Sequence, residues 1–160
     1  MVTVKSIPEG VQAVFPMLVC RSPEVEMDFC ASAFGAVEQV RRAGPDGSPI
    51  HIAMRINEAL LVVQSEFPDA VASRAPKPDG SSPVVLFVYV ADVDQAVERA
   101  IAMGAKILMP AQDQFWGDRF GSVKDPFGHV WSVATHVEDV PPEEMAERAK
   151  AAMAAQWRSW

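Results

Sequence analysis

The side chains best suited to chemistry in this 160-residue chain are its three histidines, its two cysteines and one loop where aromatic, acidic and basic residues meet. His129 and His136 lie seven residues apart in a segment that reads as β-strand. An odd separation sends side chains to opposite faces of a straight strand, so this pair does not converge on one ion. His51 opens a different strand-like segment. No ligand spacing joins the three, and turns or the surface are their expected place. Cys20 and Cys30 have no base spaced to activate them, which suits small apolar fillers with free, reduced thiols.

Asp125-Pro126-Phe127-Gly128 offers a carboxylate. Asp, Pro and Gly are also the residues that build turns, so a hairpin turn is expected there. The loop Phe115-Trp116-Gly117-Asp118-Arg119 is the most distinctive stretch. Its aromatic pair and guanidinium could stack on a planar ligand and pair with an anionic group. Equally, Trp116 could cover an open sheet edge while a salt bridge ties Asp118 to the surroundings of Arg119. There is no Gly-rich phosphate loop and no nucleophile elbow.

The elements that must position these residues follow from periodicity. Residues 15–20 read as a short buried strand. Ser22 caps a helix, with Pro23 in its first turn and Glu24 and Glu26 at its positive end. Val25, Phe29, Cys30, Ala33 and Phe34 share its buried face, and Gly35 ends it. Strands 37–42, 50–56 and 59–64 follow, with turns at Gly44-Pro45-Asp46-Gly47 and Asn57-Glu58. Residues 68–83, rich in Pro, read as a linker. The pattern then returns. Strand 84–90 leads to a helix capped by Asp92, with Gln95 as capping-box partner and Val93, Val97, Ala100 and Ile101 on one face. Gly104 ends that helix, and strands 106–109, 120–124 and 129–135 complete the half. Gly35-Ala36 and Gly104-Ala105 mark the same point twice, which signals a duplication. A third helix starts at Pro141 and carries a stripe of Met145, Ala149, Met153, Gln156 and Trp160, with Ala152 and Trp157 beside it.

With 49% apolar and 22% charged residues, disorder, collagen and coiled coil are excluded. A net charge of −7 without a basic patch argues against nucleic acid and anionic membranes as partners. The first ten residues lack a signal-peptide pattern and no apolar run reaches bilayer length, so a cytoplasmic protein is expected. The apolar groups of an open sheet and of the tail helix predict a homodimer.

Phe115-Trp116-Gly117-Asp118-Arg119-Phe120-Gly121, Asp125-Pro126-Phe127-Gly128-His129-Val130-Trp131 and Ala134-Thr135-His136-Val137-Glu138-Asp139-Val140 together resemble the glyoxalase / bleomycin-resistance / extradiol dioxygenase (vicinal oxygen chelate) superfamily, its PhnB-like branch in particular. Ser22-Pro23 and Phe34-Gly35-Ala36 agree in the first half. The resemblance implies an α+β fold. Two βαβββ modules, 14–67 and 84–140, joined by the linker 68–83, would form a curved mixed sheet around a shared cavity within one domain, 1–140, followed by an amphipathic helix, 141–160. It also implies that many members hold a divalent metal through His, Gln or Glu side chains on the first and fourth strands of each module.

Aligned on the strand-to-helix junctions, those ligand positions fall at Phe15, near Val62, at Val85 and at Ser132. Divalent ions of this kind need imidazole, carboxylate or carbonyl donors. Phe and Val supply none, and a lone Ser hydroxyl is a poor ligand, so no metal and no other cofactor is expected. Period-two alternation from these positions assigns a cavity face: Phe15, Met17 and Val19; Leu60, Val62 and Gln64; Val85, Phe87 and Tyr89; Val130, Ser132, Ala134 and His136. Such a face suits a pocket for a flat or hydrophobic small molecule, and it also suits a filled core. The candidate ligand-binding set is Phe15, Gln64, Phe87, Tyr89, Trp116, Arg119, Ser132 and His136. The expected function is metal-free binding of a small apolar or aromatic molecule. The alternatives are a metal-dependent lyase, isomerase or dioxygenase, and a structural or regulatory dimer with a closed interior. No feature of the sequence assigns catalytic residues.

Overall fold

The computed structural model describes residues 5–67, 74–77 and 82–157, with side chains as far as residue 154. Most of the expected linker, and the Gln156, Trp157 and Trp160 side chains of the tail stripe, lie outside what is described. The element order is β1 (Met17–Cys20), α1 (Pro23–Phe34), β2 (Val37–Ala43), β3 (Pro49–Ile56), β4 (Ala59–Ser65), β5 (Val85–Tyr89), α2 (Val93–Ala102), β6 (Lys106–Asp113), β7 (Asp118–Lys124), β8 (Val130–His136) and α3 (Pro142–Trp157). This is the expected α+β arrangement of two βαβββ modules and a C-terminal helix. The strand orders are β1-β4-β3-β2 and β5-β8-β7-β6. In each sheet the first strand runs parallel to the fourth, and the other neighbours are antiparallel. A parallel pair cannot be joined by a hairpin, and the intervening helix and two strands make the crossover.

The chain divides into two compact units. One holds the described residues up to Pro83 together with the turn Pro126–His129; the other holds Val84–Asp125 and the chain from Val130.

In the first unit, Ser22 Oγ accepts from the Val25 N–H at 3.5 Å and Gly35 ends α1 in the left-handed conformation. Met27, Phe29, Cys30, Ala33 and Phe34 are buried from α1, and Leu18, Cys20, Ile52, Met54, Leu61 and Val63 from the strands beneath it. Burying each of the larger side chains contributes about 1.5–3 kcal/mol. Both cysteines are buried thiols outside any disulfide, as their positions suggested, with Cys20 Sγ donating to the Gln64 carbonyl at 3.7 Å and Cys30 Sγ to Glu26 Oε1 at 3.8 Å. Two residues depart from expectation. Glu26 is fully buried in α1 instead of merely decorating its positive end. His129 is buried as well, in place of a surface position, because its turn packs into this unit and sets its Nδ1 3.9 Å from Glu26 Oε2.

In the second unit, Asp92 caps α2 by accepting from the Gln95 backbone N–H at 3.0 Å and from its side-chain amide at 2.8 Å. Val93, Ala96, Val97 and Ala100 are buried against Val88, Val123, Trp131 and Val133. Ile101, expected on the same stripe, is 41% exposed, and Ala96 takes its place. Strand β6 runs four residues past its expected end at Met109. It is an edge strand with register irregularities between Ile107 and Gln112, and such a strand tolerates Pro110. Helix α3 begins as expected, but none of its described side chains is fully buried. Among the described residues no helix is long and apolar enough to cross a membrane.

Candidate functional site

Strand register decides which side chains share the face of the second sheet turned away from α2. Phe87 is opposite Ser132 and Tyr89 opposite Ala134. On the other side of β8, Ser122 is opposite Ser132, Phe120 opposite Ala134 and Asp118 opposite His136. Because strand side chains alternate, Phe87, Tyr89, Asp118, Phe120, Ser132 and His136 lie on this open face, and Arg119, Gly121 and Val123 lie on the helix side.

Asp118 is the centre of the arrangement. It is 3% exposed, yet it is a carboxylate. Its Oδ2 accepts from the Tyr89 hydroxyl at 2.9 Å and from the Trp116 indole N–H at 3.0 Å. Its Oδ1 is 2.9 Å from His136 Nδ1. Burial pushes the Asp118 pKa up, but hydrogen bonds from His136, Tyr89 and Trp116 outweigh burial and hold it below the usual carboxylate value. The same anion raises the Tyr89 pKa through the hydrogen bond it accepts, with burial adding to the effect. His136 is held between two carboxylates, since its Nε2 lies 2.9 Å from Asp139. Asp139 first and Asp118 second raise its pKa.

These bonds use the polar tips of Tyr89 and Trp116 and leave their rings to build a wall. Phe87 lies 5.2 Å from Tyr89 and 5.8 Å from Phe120, centroid to centroid. Trp116 stands edge-on to Phe120 at 5.9 Å and to Phe115 at 5.0 Å. Tilted and edge-on pairs at such distances are favourable ring geometries. Phe87 and Tyr89 are nevertheless 53% and 52% exposed. Around Trp116 and Phe120 a pocket of about 470 Å³ opens between the β6–β7 hairpin and α3. Met109, Gln112, Phe115, Trp116 and Phe120 line it from the hairpin, and Ala152 and Met153 from α3.

Of the residues singled out by sequence, Phe87, Tyr89, Trp116, Ser132 and His136 belong to this face or its loop. Phe15 and Gln64 belong to the first unit, where Gln64 is paired with Val19 and His51. Arg119 is turned to the helix side. Its guanidinium is bidentate to Asp94 at 2.6 and 2.9 Å and bonded to Asp113 at 3.0 Å. Arg119 forms ion pairs with Asp94 and Asp113, whereas Asp118, expected to be tied to the surroundings of Arg119, points to the opposite face and bonds Tyr89, Trp116 and His136. Asp118, Phe120, Met109 and Met153 belong to this site but stood outside the candidate ligand-binding set: Asp118 was expected in a salt bridge and Met153 on the tail-helix stripe. The signal for Asp118 and Phe120 was available: β7 begins at Asp118, and alternation from there puts both on the face of Tyr89 and His136.

Comparison with known proteins places the chain among relatives of the same fold. The family model of the Glyoxalase/Bleomycin resistance protein/Dioxygenase superfamily matches residues 14–133. Uncharacterized proteins of Mycobacterium bovis and Mycobacterium tuberculosis are 39% identical over 146 residues, 90% of this chain and 93% and 84% of theirs. A glyoxalase-related enzyme from Fulvimarina pelagi is 26% identical with a TM-score of 0.59, covering 78% of this chain and 88% of that one. TioX from Micromonospora sp. ML1 is 24% identical with a TM-score of 0.60, covering 79% of this chain and 100% of that one. The PhnB protein of Bacillus cereus is 18% identical with a TM-score of 0.60, covering 78% and 99%. At those identities TioX and PhnB bear on the fold alone.

Proposed function

We propose, for a chain that belongs to the Glyoxalase/Bleomycin resistance protein/Dioxygenase superfamily, that the aromatic face of the second sheet binds a small apolar or aromatic molecule without a metal ion. The observation that carries this reading is the Asp118 cluster. A buried carboxylate that fixes a tyrosine, a tryptophan and a histidine at once is costly to build. Here it holds an aromatic wall in which Phe87 and Tyr89 stay half-exposed and Trp116 and Phe120 line a pocket. Pre-arranged rings lose little entropy when a planar molecule stacks on them.

The residues at the positions of the superfamily's metal ligands do not fit an ion. Phe15 precedes β1, and Val62 is buried opposite Met17. Val85 is opposite Val130, and Ser132 lies between Phe87 and Ser122. One hydroxyl among hydrocarbon side chains is no donor set for a divalent cation. No reaction step is therefore routed through a metal.

A fluorescence titration with the neutral dye N-phenyl-1-naphthylamine tests the reading. Saturable binding is expected, unchanged by EDTA or added Zn²⁺ and weakened about tenfold by Phe87→Ala combined with Phe120→Ala. Binding that needs Zn²⁺, or a rise of several degrees in Tm on adding Zn²⁺, Ni²⁺ or Mn²⁺, would transfer the case to a metal-dependent lyase, isomerase or dioxygenase.

A further inference from the structure

Helix α3 contributes to the pocket with only shallow packing: Met145, Arg148, Ala149 and Ala152 are half-buried. Ala152 and Met153 close the side facing Trp116 and Phe120, yet Met153 is 64% exposed and no described side chain of α3 is fully buried. A helix held by core packing would bury a stripe. This one buries no described residue fully, and an ion pair ties it to the chain before it. The Arg148 guanidinium is bidentate to Glu138 at 2.7 and 2.8 Å and bonded to Glu144 at 3.0 Å. Glu144 is on the helix itself, whereas Glu138 lies before it, across the exposed Asp139. The Glu138 end is anchored: the backbone N–H groups of Val137 and Glu138 both donate to the Gly117 carbonyl, at 2.9 and 3.0 Å, within the aromatic loop. The chain is therefore fixed at residue 138, irregular from 137 to 141 and helical from Pro142.

We propose that α3 is a hinged lid on the aromatic pocket, closed through Ala152 and Met153 and latched by the Arg148–Glu138 ion pair, so that a ligand enters when the latch opens. The inference rests on the reading of this face as a binding site. The pivot is the backbone of Asp139–Val140, whose side chains rest on His136 and beside Gly117, because Pro141 and Pro142 fix their own φ angles. The latch is weak by design of its surroundings: both side chains are about a third to a half exposed, and exposed ion pairs are screened by salt. Small hinge-closing elements of this kind commonly gate access to a site.

The experiment reads the lid without any ligand. In the full chain carrying Trp157→Phe and Trp160→Phe, emission comes from Trp116 in the pocket and from Trp131, which is buried and bonded to Asp125 and so serves as a protected reference. Acrylamide quenching of Trp116 is expected to rise about twofold between low salt and about 1 M NaCl, where the screening length falls to roughly 3 Å. Arg148→Glu should give the high-salt value at low salt, and adding Glu138→Arg to it should restore the low-salt value with the charges exchanged. Quenching that responds neither to salt nor to Arg148→Glu would overturn the lid and leave α3 a fixed wall. The salt series on the otherwise unaltered chain decides the matter even where the charge reversal disturbs folding. Stopped-flow mixing with N-phenyl-1-naphthylamine separates the two readings. Dye binding with association rates indifferent to Arg148→Glu sinks the lid and spares the site. Quenching that follows the latch while no dye binds spares the lid and sinks the site.

Discussion

Counted from the N-cap of its helix, each module offers the same grid of positions, and the two modules fill it differently. Tyr89 stands three residues before Asp92, and Val19 three before Ser22. Tyr89 is opposite Ala134 as Val19 is opposite Gln64. Following the registers two residues further, Glu66 occupies the position of His136, and Pro49 that of Asp118. Where the second module builds a hydrogen-bonded cluster, the first has a hydrocarbon, an imino acid without an N–H, and a glutamate that instead accepts from the Ala75 N–H at 2.7 Å. The helices show the reverse. Four residues after the N-cap, α1 buries the carboxylate of Glu26 and α2 buries the methyl of Ala96. Caps, turns and helix-facing apolar positions are held in common, because each satisfies backbone groups or fills the core. The buried acidic side chain is where the modules part: beneath the helix in one, beneath an aromatic face in the other.

The sharpest way to break this comparison is to remove its centre. Asp118→Ala leaves the Tyr89 hydroxyl, the Trp116 indole and His136 without their shared acceptor. A loss of about 3–5 kcal/mol in urea unfolding is expected. Pro49→Ala, at the matching position of the first module, should cost under about 1 kcal/mol. Comparable losses at both positions would mean that Asp118 is an ordinary strand-end residue and the cluster adds nothing.

The two hairpin glycines give the next contrast. Gly117 has φ +95°, and a Cβ there would sit 2.1 Å from the Glu138 carbonyl oxygen. Gly47, in the β2–β3 hairpin, has φ +82° with open space around it. Gly117→Ala therefore combines left-handed strain with a backbone clash and should cost about 3 kcal/mol. Gly47→Ala carries the strain alone, about 1–2 kcal/mol. Because the Gly117 carbonyl anchors residues 137 and 138, Gly117→Ala should also loosen α3 in the acrylamide measurement. Gly47→Ala should not.

The helix caps differ less. Asp92 accepts two hydrogen bonds from Gln95, at 3.0 and 2.8 Å, whereas Ser22 accepts one long bond at 3.5 Å. Asp92→Ala should lower stability by about 1–2 kcal/mol and Ser22→Ala by about 0.5 kcal/mol. Equal losses from the two would show that capping distance does not rank these helices.

The legibility of each feature in the sequence followed its locality. Caps, turns and the duplication are written in neighbouring residues, so Ser22, Asp92, Gly35-Ala36 and Gly104-Ala105 located the two modules. Alternation along single strands placed Phe87, Tyr89, Ser132 and His136 on one face. What stayed hidden depends on contacts between distant segments. Asp118 and Arg119 are adjacent, and which of them meets the aromatic side was decided by a strand boundary two residues earlier than expected. The burial of Glu26 and His129 joins residues more than a hundred positions apart, and a first-turn glutamate looks the same in sequence whether it faces solvent or the core. Pro110 read as a strand end because propensity does not say which strand is at the edge.

The smallest effect tests whether the Asp118 cluster is electrostatic as well as geometric. His136 touches Asp139 and Asp118, and both raise its pKa above the ordinary 6.5. A histidine with a raised pKa in the folded state stabilises that state fully below pH 6.5. It loses this contribution as pH rises through the raised value, because the neutral ring keeps one N–H and can donate to one carboxylate only. Stability measured from pH 6 upward should therefore decline slightly, and the decline should vanish in His136→Gln. The ring faces solvent, so the effect is small and sensitive to salt. An NMR titration resolves it better: Asp139→Asn should lower the His136 pKa towards the ordinary value, since Asp139 is the larger cause. The exposed partner would then be setting the charge of the ring while the buried one sets its position. A His136 pKa unmoved by Asp139→Asn would reverse that division and make Asp118 responsible for both.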